Sequence, residues 1–219
     1  MAYRAVIFDI DGTLLDTLQD IADATNAALL SSGFPAHEVN AYRDFIGDGP
    51  DILALRALPE NKRDPETAGK LVTGIAGEYS RRWANNTRPF PGIPKLLDAL
   101  TRLGIRLAVL SNKEQGFAEI SVSNLLKRWH FEFVIGISPR VPKKPDPAGA
   151  LQIAKKMNLA PENFIYIGDS GVDMKTASVA DMYPVGALWG FRNAEELLAS
   201  GAKMLAKKPQ EVMQLFRKS

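Results

Sequence analysis

Two aspartates near the start of the chain, Asp9 and Asp11, have the residue type and the spacing to do chemistry together. They follow the apolar run 4–8, which predicts a short buried strand. Because side chains alternate along a strand, both carboxylates are expected to leave its end on one side. Neighbouring carboxylates resist joint ionisation, so a fold keeps such a pair mainly for a cation or for shared acid–base chemistry. Asp11-Gly12 is also a common turn dipeptide, and the pair by itself is equally typical of a surface turn.

Two further apolar runs end in small, polar or acidic residues. Residues 106–110 lead into Ser111-Asn112, and residues 164–167 lead into the segment 168–173, which contains two more aspartates. In an open α/β sheet, ligands bind beyond the carboxyl ends of the strands. Three strands that end in this way therefore predict one shared site at that edge of the sheet.

Together these segments resemble the motifs of the haloacid dehalogenase-type (HAD) phosphatases. The segment 9–17 looks like the first motif, and Ser111-Asn112 looks like the second. Lys144, within 143–147, matches the third motif, and the segment 168–173 matches the fourth. All four occur in the family's order, so the resemblance spans nearly the whole chain.

The resemblance implies a magnesium (Mg²⁺) cofactor and covalent catalysis by a carboxylate. Asp9 would be both a metal ligand and the nucleophile that becomes an aspartyl phosphate. Asp11 would protonate the leaving alcohol and then activate water, while its backbone carbonyl binds the metal. Asp169 would ligate magnesium, and Asp173 would support it directly or through a water molecule. Carboxylate and water oxygens suit this hard cation.

The other motif residues would bind the phosphoryl group. Gly12 leaves room for that group close to the backbone, and the Ser111 hydroxyl can donate to a phosphate oxygen. Asn112 would orient the loop or touch phosphate. Lys144 carries a point charge that could offset the phosphoryl and carboxylate charges. Lys143 competes for that role, but the residue directly before Pro145 is the one that matches the family.

Strand and helix patterns alternate over most of the chain, which predicts a doubly wound, Rossmann-like α/β fold with a parallel sheet covered on both faces. Strands are predicted at 4–8, 105–110, 131–135, 164–167 and 183–188. Helices are predicted at about 93–100, 114–128, 147–157, 174–180 and, at the end of the chain, 209–216.

The alternation breaks between residues 17 and 84, where apolar residues recur at helical spacing and no strand pattern occurs. We expect this insert to form an all-helical domain, with a core domain built from 1–16 and 85–219. The insert resembles the small cap that HAD phosphatases carry after their first motif. In relatives this region selects the leaving group, which implies substrate contacts from Gly47 and Asp48 in a loop between cap helices. The other polar candidates near this loop are Arg43 and Arg56.

Composition excludes several other classes of protein. The chain has 219 residues, a formal net charge of +2 and no cysteine, so thiolate metal sites and disulfides are ruled out. Its basic pairs are scattered, which argues against a nucleic-acid partner. No apolar run reaches the roughly 18 residues of a membrane span, and the N-terminus lacks a signal-peptide pattern. We therefore expect a cytoplasmic protein, and the resemblance to the HAD phosphatases implies that its partner is a small phosphorylated metabolite.

The substrate and the reaction class leave alternatives open. The segments 45–50 and 189–192 resemble the phosphoglycolate phosphatase branch, which alone puts 2-phosphoglycolate first among short phosphorylated substrates. A phosphosugar mutase shares the first motif, and a phosphonate hydrolase would need a reactive cap lysine, for which Lys62 and Lys70 are poorly placed. A non-enzymatic, receiver-like phospho-acceptor module is the alternative from a different class. The large helical insert and Asp11 argue against it.

Overall fold

The computed structural model describes residues 3–216. Its strands are β1 (Ala5–Phe8), β2 (Leu15–Asp16), β3 (Arg88–Pro89), β4 (Arg106–Glu114), β5 (Phe131–Ile137), β6 (Phe164–Gly168), β7 (Tyr183–Ala187) and β8 (Met204–Ala206). Its α-helices are α1 (Leu18–Ser31), α2 (Tyr42–Phe45), α3 (Pro50–Ala57), α4 (Pro65–Arg82), α5 (Ile93–Arg102), α6 (Gln115–Leu125), α7 (Ala148–Met157), α8 (Gly171–Val179) and α9 (Ala194–Ala199). Short 3₁₀ helices lie at Val39–Ala41, Glu60–Lys62, Pro161–Asn163 and Pro209–Phe216.

The main sheet has six parallel strands in the order β5-β4-β1-β6-β7-β8. Counted along the chain within this sheet, the order is that of the Rossmann fold, with β1 and β6 adjacent where the direction of winding reverses. Ala5 of β1 lies opposite Arg106 on one side and Phe164 on the other. This arrangement confirms the predicted fold class, and it places the carboxyl ends of β1, β4 and β6 next to one another.

The central strands are apolar because helices cover both faces of the sheet. All four residues of β1 and all five residues of β6 are buried. One face packs against the apolar stripe of α5, which includes Leu96 and Leu97. The opposite face packs against Ile153 of α7 and Ala177 of α8. A strand that is buried on both faces has a continuous apolar sequence, so these strands can be predicted from the sequence.

Residues 18–82 form a helical unit whose hydrophobic cluster is built mainly by α1 to α4 and also contains Phe191 from the loop after β7. Helices α1 and α4 pack on each other, and Gly74 allows this approach, since a Cβ there would lie 3.3 Å from the Ala28 Cβ. Helix α4 begins where Asp64 accepts a hydrogen bond from the Thr67 N–H at 3.0 Å and Pro65 takes the first turn.

The chain enters and leaves this helical unit side by side. Strands β2 and β3 form a two-stranded antiparallel ladder in which Asp16 lies opposite Arg88. Just inside the ladder, the buried Asp20 accepts hydrogen bonds from the backbone N–H groups of Asn86 and Thr87 and from the Thr87 hydroxyl. Burial acts to raise the pKa of Asp20, but these hydrogen bonds outweigh it and hold the pKa below its usual value. Asp20 therefore links the two segments that connect the helical unit to the sheet.

Several element boundaries differ from the sequence prediction. Strand β8 was missed, because three residues between charged neighbours carry too little pattern. Strand β4 continues to Glu114, so Ser111 and Asn112 lie on the strand and not in a loop after it. The predicted terminal helix at 209–216 is a 3₁₀ helix. None of the helices within residues 3–216 has the length and the hydrophobicity of a membrane span.

Candidate active site

Three buried aspartates meet at the carboxyl ends of β1 and β6. Asp9 follows β1, Asp169 follows β6, and Asp173 lies in the first turn of α8. One carboxylate oxygen from each lies within 4.8 Å of the others. The structure thus brings together three aspartates that the sequence separates by up to 164 positions.

Lys144 lies between two of these carboxylates. Its Nζ is 3.0 Å from Asp9 Oδ1 and 2.7 Å from Asp173 Oδ1, and the side chain is 1% exposed. Asn112 holds the Lys144 backbone against β4, accepting from its N–H at 2.7 Å and donating to its carbonyl at 3.1 Å. Lys143, the competing candidate, instead pairs with Asp51 at the surface. Burial between two carboxylates therefore distinguishes Lys144 from its neighbour.

Asp169 is held in place by the loop after β1 and by the loop after β7. Its Oδ1 accepts from the Thr13 hydroxyl at 2.9 Å, and its Oδ2 accepts from the Phe191 N–H at 2.8 Å. Two glycines let the backbone approach this carboxylate closely. Gly12 has a φ of +82°, and a Cβ there would lie 2.2 Å from Asp169 Oδ2; a Cβ at Gly190 would lie 2.3 Å from the Asp169 Cβ. Glycine at both positions is therefore a condition for the position of Asp169.

Asp173 uses both of its oxygens within the protein. Oδ1 meets Lys144, and Oδ2 accepts from the Ser170 N–H at 3.1 Å and from the Ser170 hydroxyl at 2.5 Å. The Ser170 contacts form a capping box that starts α8. Such a carboxylate is suited to holding Lys144 in place.

The cluster contains more carboxylates than positively charged groups. Burial raises the pKa of Asp9 to about 6, and the carboxylates of Asp173 and Asp11 act in the same direction against Lys144. Burial raises the pKa of Asp169 to about 8, again with help from Asp173 and Asp9. Burial acts to lower the pKa of Lys144, but the two carboxylates beside it outweigh burial and raise that pKa well above its usual value. One ammonium group thus faces three carboxylates.

This donor set fits a hard divalent cation. All three acids offer oxygen ligands. The pKa values of Asp9 and Asp169 are raised, first by burial and then by the neighbouring carboxylates, so the charged forms of these two acids are disfavoured when only Lys144 opposes them. A bound cation supplies the missing positive charge. Oxygen-only ligands suit magnesium better than a softer metal.

Asp11 lies apart from the cluster and has a partner that the sequence analysis did not assign. Lys113 Nζ lies 3.0 Å and 3.2 Å from the two Asp11 carboxylate oxygens. The same ammonium group sits 4.6 Å from the centre of the Tyr79 ring, which belongs to α4. Lys113 directly follows Ser111-Asn112 and lies on the part of β4 that extends beyond residue 110.

A cavity of about 120 Å³ opens above Asp9 and Asp11, between the sheet edge and the helical unit. Ser111, Asn112 and Gly47 also line it, and the Gly47 carbonyl accepts from Asn112 Nδ2 at 3.1 Å. The remaining lining residues are Ile21, Ile46, Gly49, Pro50, Leu53, Val72, Ile75, Ala76, Tyr79, Lys113, Glu114 and Phe117.

Three polar residues singled out near the loop 47–49 lie outside this lining. Asp48 pairs with Arg56 at 2.7 Å, and both side chains are partly exposed. Arg43 donates to the Gly190 carbonyl at 2.5 Å and so contacts the loop that holds Asp169. These residues shape the junction between the helical unit and the sheet.

Comparison with known proteins identifies the family. The chain matches the model of the haloacid dehalogenase-like hydrolases over residues 6–187. It is 31% identical over 207 residues to a phosphoglycolate phosphatase of Psychrobacter arcticus, which covers 90% of this chain and 88% of the relative. It is 28% identical over 205 residues to a phosphoglycolate phosphatase of Pseudomonas putida, with 92% and 75% covered. A crystal structure from Lactobacillus delbrueckii subsp. bulgaricus aligns with a TM-score of 0.93 at 27% identity, over 100% of both chains.

This chain therefore belongs to the haloacid dehalogenase-like hydrolases. Within that family it groups with the phosphoglycolate phosphatase-like proteins, which are phosphoric monoester hydrolases. The predicted family, its branch and the class of enzyme are confirmed.

Proposed function

We propose that this chain is a magnesium-dependent phosphatase that hydrolyses small phosphate monoesters through an aspartyl phosphate on Asp9. One observation carries the proposal: Asp9 belongs to the three-carboxylate cluster and also lines the cavity. It is thus the one member of the cluster that a ligand in that cavity can reach, among the residues the structure describes.

Asp9, Asp169 and the backbone carbonyl of Asp11 would hold the magnesium ion, with Asp173 acting through water. When bound, the ion offsets the charge of the phosphoryl group and lets a carboxylate approach it. Lys144 supports the same task from the protein side, because its ammonium group contacts both Asp9 and Asp173.

The chain's own residues carry the two chemical steps. An Asp9 oxygen attacks phosphorus, the bond from phosphorus to the alcohol oxygen breaks, and Asp11 gives its proton to that oxygen. Asp11 then takes a proton from water as the water oxygen attacks phosphorus, the bond to Asp9 breaks, and phosphate leaves. General acid–base help of this type contributes roughly 10²–10⁴-fold to the rate. The Ser111 hydroxyl and Lys144 donate to the phosphoryl oxygens.

In this proposal residues 17–84 act as a cap domain on a core of 1–16 and 85–219. The cap supplies most of the cavity wall opposite Asp9, through residues of α1, α3 and α4. Its loop carries Gly47 and Asp48, and the Gly47 carbonyl is tied to Asn112 of the core. Closing this interface over a substrate would exclude water from the reacting groups.

The names of the relatives make 2-phosphoglycolate the first physiological ester to assay. The phosphonate hydrolase alternative gains no support, because Lys62 and Lys70 do not line the cavity and Lys70 pairs with Glu66 on the surface of α4. The phosphosugar mutase alternative has no observation in its favour.

The test is turnover by the Asp9→Asn variant with p-nitrophenyl phosphate and magnesium. We expect the variant to fold and to lose at least about 10³-fold in kcat/KM, since the nucleophile is removed. Asp181→Asn is the matched control, because Asp181 is exposed and precedes β7 at the opposite edge of the sheet. An Asp9→Asn variant within a few-fold of the parent would disprove the mechanism. Full activity after exhaustive chelation would disprove the metal requirement.

A further inference from the structure

Lys113 is the only cationic side chain among the described residues that line the cavity. Its side chain is 6% exposed, so the solvent screens its charge little. Burial acts to lower the pKa of Lys113, but the Asp11 carboxylate beside it outweighs burial and raises that pKa above its usual value. Lys113 therefore places a lasting positive charge in the cavity wall.

The steps proposed for phosphate ester hydrolysis give Lys113 no task of its own. Among the residues that the structure describes, its ammonium group donates only to the two Asp11 oxygens. Asp11 carries a proton when it meets the ester in that mechanism, so the ammonium group then lacks a negative partner. An ammonium group also has three donors and can serve two carboxylates at once, as Lys144 does in the neighbouring cluster. Lys113 can therefore bind a negative group of a substrate during the first chemical step.

The distance from Lys113 to the reacting ester oxygen determines where that negative group must lie. A general acid works at about 3 Å from the oxygen that it protonates, and Lys113 Nζ lies 3.0 Å from Asp11 Oδ1. The ammonium group is therefore within about 6 Å of the ester oxygen. A carboxylate attached to the carbon that bears the ester oxygen has its own oxygens about 3 Å from it, and a charged N–H···O contact adds about 3 Å. The two spans match, so a carboxylate at this position reaches Lys113.

The rest of the described cavity wall offers a negative group no comparable partner. The wall supplied by α4 is aliphatic, with Val72 and Ile75. The nearby arginines, Arg43 and Arg56, are bound to other groups of the protein and lie outside the lining. Glu114 lines the cavity but is exposed, so the solvent screens its charge. A carboxylate buried against aliphatic side chains without a cation is strongly disfavoured, which leaves the position beside Lys113.

Tyr79 of the helical unit holds the ammonium group from the other side of the interface. Lys113 Nζ lies 4.6 Å from the centre of the Tyr79 ring, and this ring packs edge-on against Phe117 with 5.0 Å between the ring centres. An aromatic face attracts a cation without neutralising its charge. Lys113 is thus fixed by contacts that leave its charge available to a ligand.

We propose that Lys113 selects the substrate by binding a carboxylate on the carbon that bears the ester oxygen, and so favours phosphate esters of 2-hydroxy acids over esters of neutral alcohols. The inference rests on the proposed phosphatase function and names the residue that selects the substrate within it. The ester 2-phosphoglycolate is the smallest member of this class.

The test compares 2-phosphoglycolate with its amide, in which an NH₂ group replaces one carboxylate oxygen. The two esters have nearly the same shape and differ mainly in charge. With magnesium, we expect kcat/KM of the parent to be at least about tenfold higher for the carboxylate. Equal values, or a preference for the amide, would overturn the inference while leaving the phosphatase function intact. If the parent hydrolyses neither ester nor p-nitrophenyl phosphate, the proposed function fails as well.

Substitution of Lys113 tests whether this residue causes the preference. We expect Lys113→Met to lower the carboxylate-to-amide ratio of kcat/KM at least about tenfold, chiefly through a higher KM for 2-phosphoglycolate, and Lys113→Arg to keep a preference for the carboxylate. Lys155→Met is the matched control, since Lys155 is exposed on α7 and its loss should leave the ratio unchanged. If Lys113→Met slows both esters by the same factor, Lys113 acts only through Asp11 and the inference is wrong. Should Lys113→Met not fold, Lys113→Gln is expected to give the same fall in the ratio.

Discussion

The two sides of the cavity differ in chemical character, since one is polar and hydrogen-bonded and the other is mainly apolar. On the sheet side, each of the four aspartates at positions 9, 11, 169 and 173 has partners for its side chain, as Asp169 has Thr13 and Phe191. On the helical side, the wall consists of aliphatic side chains that also belong to the core of the helical unit, among them Ile21 and Ile75. The sheet side holds the reacting side chains in fixed positions. The helical side determines only the shape and the polarity of the space that the alcohol part of a substrate would occupy. Apart from Lys113, changes on the sheet side should therefore affect every substrate, and changes on the helical side should affect the choice among substrates.

The largest effect is expected for Lys144→Ala. Loss of this ammonium group leaves Asp9 and Asp173 buried without a positive partner, so kcat/KM should fall at least about 10³-fold for every ester. Without added metal, the free energy of unfolding should fall by about 3–5 kcal/mol. Steady-state kinetics on an ester panel and urea unfolding measure both effects.

Lys143→Ala is the control for that variant. Lys143 pairs with Asp51 at the surface, and such exposed pairs contribute about 0–1 kcal/mol. We expect activity within a few-fold of the parent. If the two alanine variants behaved alike, the role given to Lys144 would be wrong.

The second-largest effect on activity is expected for Gly190→Ala. The new Cβ would lie 2.3 Å from the Asp169 Cβ and 2.4 Å from the Gly12 carbonyl, so Asp169 must move. A displacement of about 1 Å at a reacting centre costs about 10²-fold in rate, and we expect at least this loss on all esters. Gly69→Ala in α4 is the control, because nothing lies within 4 Å of its Cβ and its activity should be unchanged. Unaltered turnover in Gly190→Ala would show that the position of Asp169 tolerates movement.

Asp20→Ala tests the junction between the two sides. It removes the acceptor for Asn86 and Thr87, and we expect a loss of about 1–3 kcal/mol in unfolding free energy at pH 7. Because the folded-state pKa of Asp20 is lowered, its stabilisation is present above the unfolded pKa of about 3.9 and disappears as pH falls through the folded pKa. Urea unfolding of parent and variant should therefore differ at pH 7 and converge in acid. A difference that grows in acid would contradict this assignment.

The smallest effect is expected for Arg56→Ala. Arg56 pairs with Asp48 outside the cavity lining, so kcat/KM for each ester should stay within about threefold of the parent. Val72→Thr, which alters the lining itself, is the informative comparison on the same panel. A larger change of selectivity in Arg56→Ala than in Val72→Thr would show that the loop 47–49, and not the cavity wall, selects the substrate.

The sheet side was largely predictable from the sequence, and the helical side was not. Apolar runs before Asp9, Ser111 and Asp169 mark parallel strands, and parallel strands must bring their carboxyl ends to one edge. The pairing of Lys113 with Asp11 was missed because it depends on how far β4 extends.

The helical wall could not be separated from an ordinary helix core. Ile21, Val72 and Ile75 recur at helical spacing as any buried stripe does, and no local signal shows which of them face a cavity. Asp48 and Arg56 were candidates for substrate contact because they are polar and lie near the loop 47–49, yet they form an ion pair with each other. Which residues line a cavity is a property of long-range packing, which a local pattern does not record.

The ladder of β2 and β3 has a consequence for engineering. Residues 16 and 88 face each other across neighbouring strands, so their backbones are about 5 Å apart. A segment whose ends lie so close can be exchanged for another of different length, because the entropy of closing a flexible loop changes only slowly with loop length. The 71 residues between these two positions therefore form a segment that can be exchanged as a unit. Chimeras that keep the sheet and replace this segment would inherit the same reaction with a new choice of alcohol.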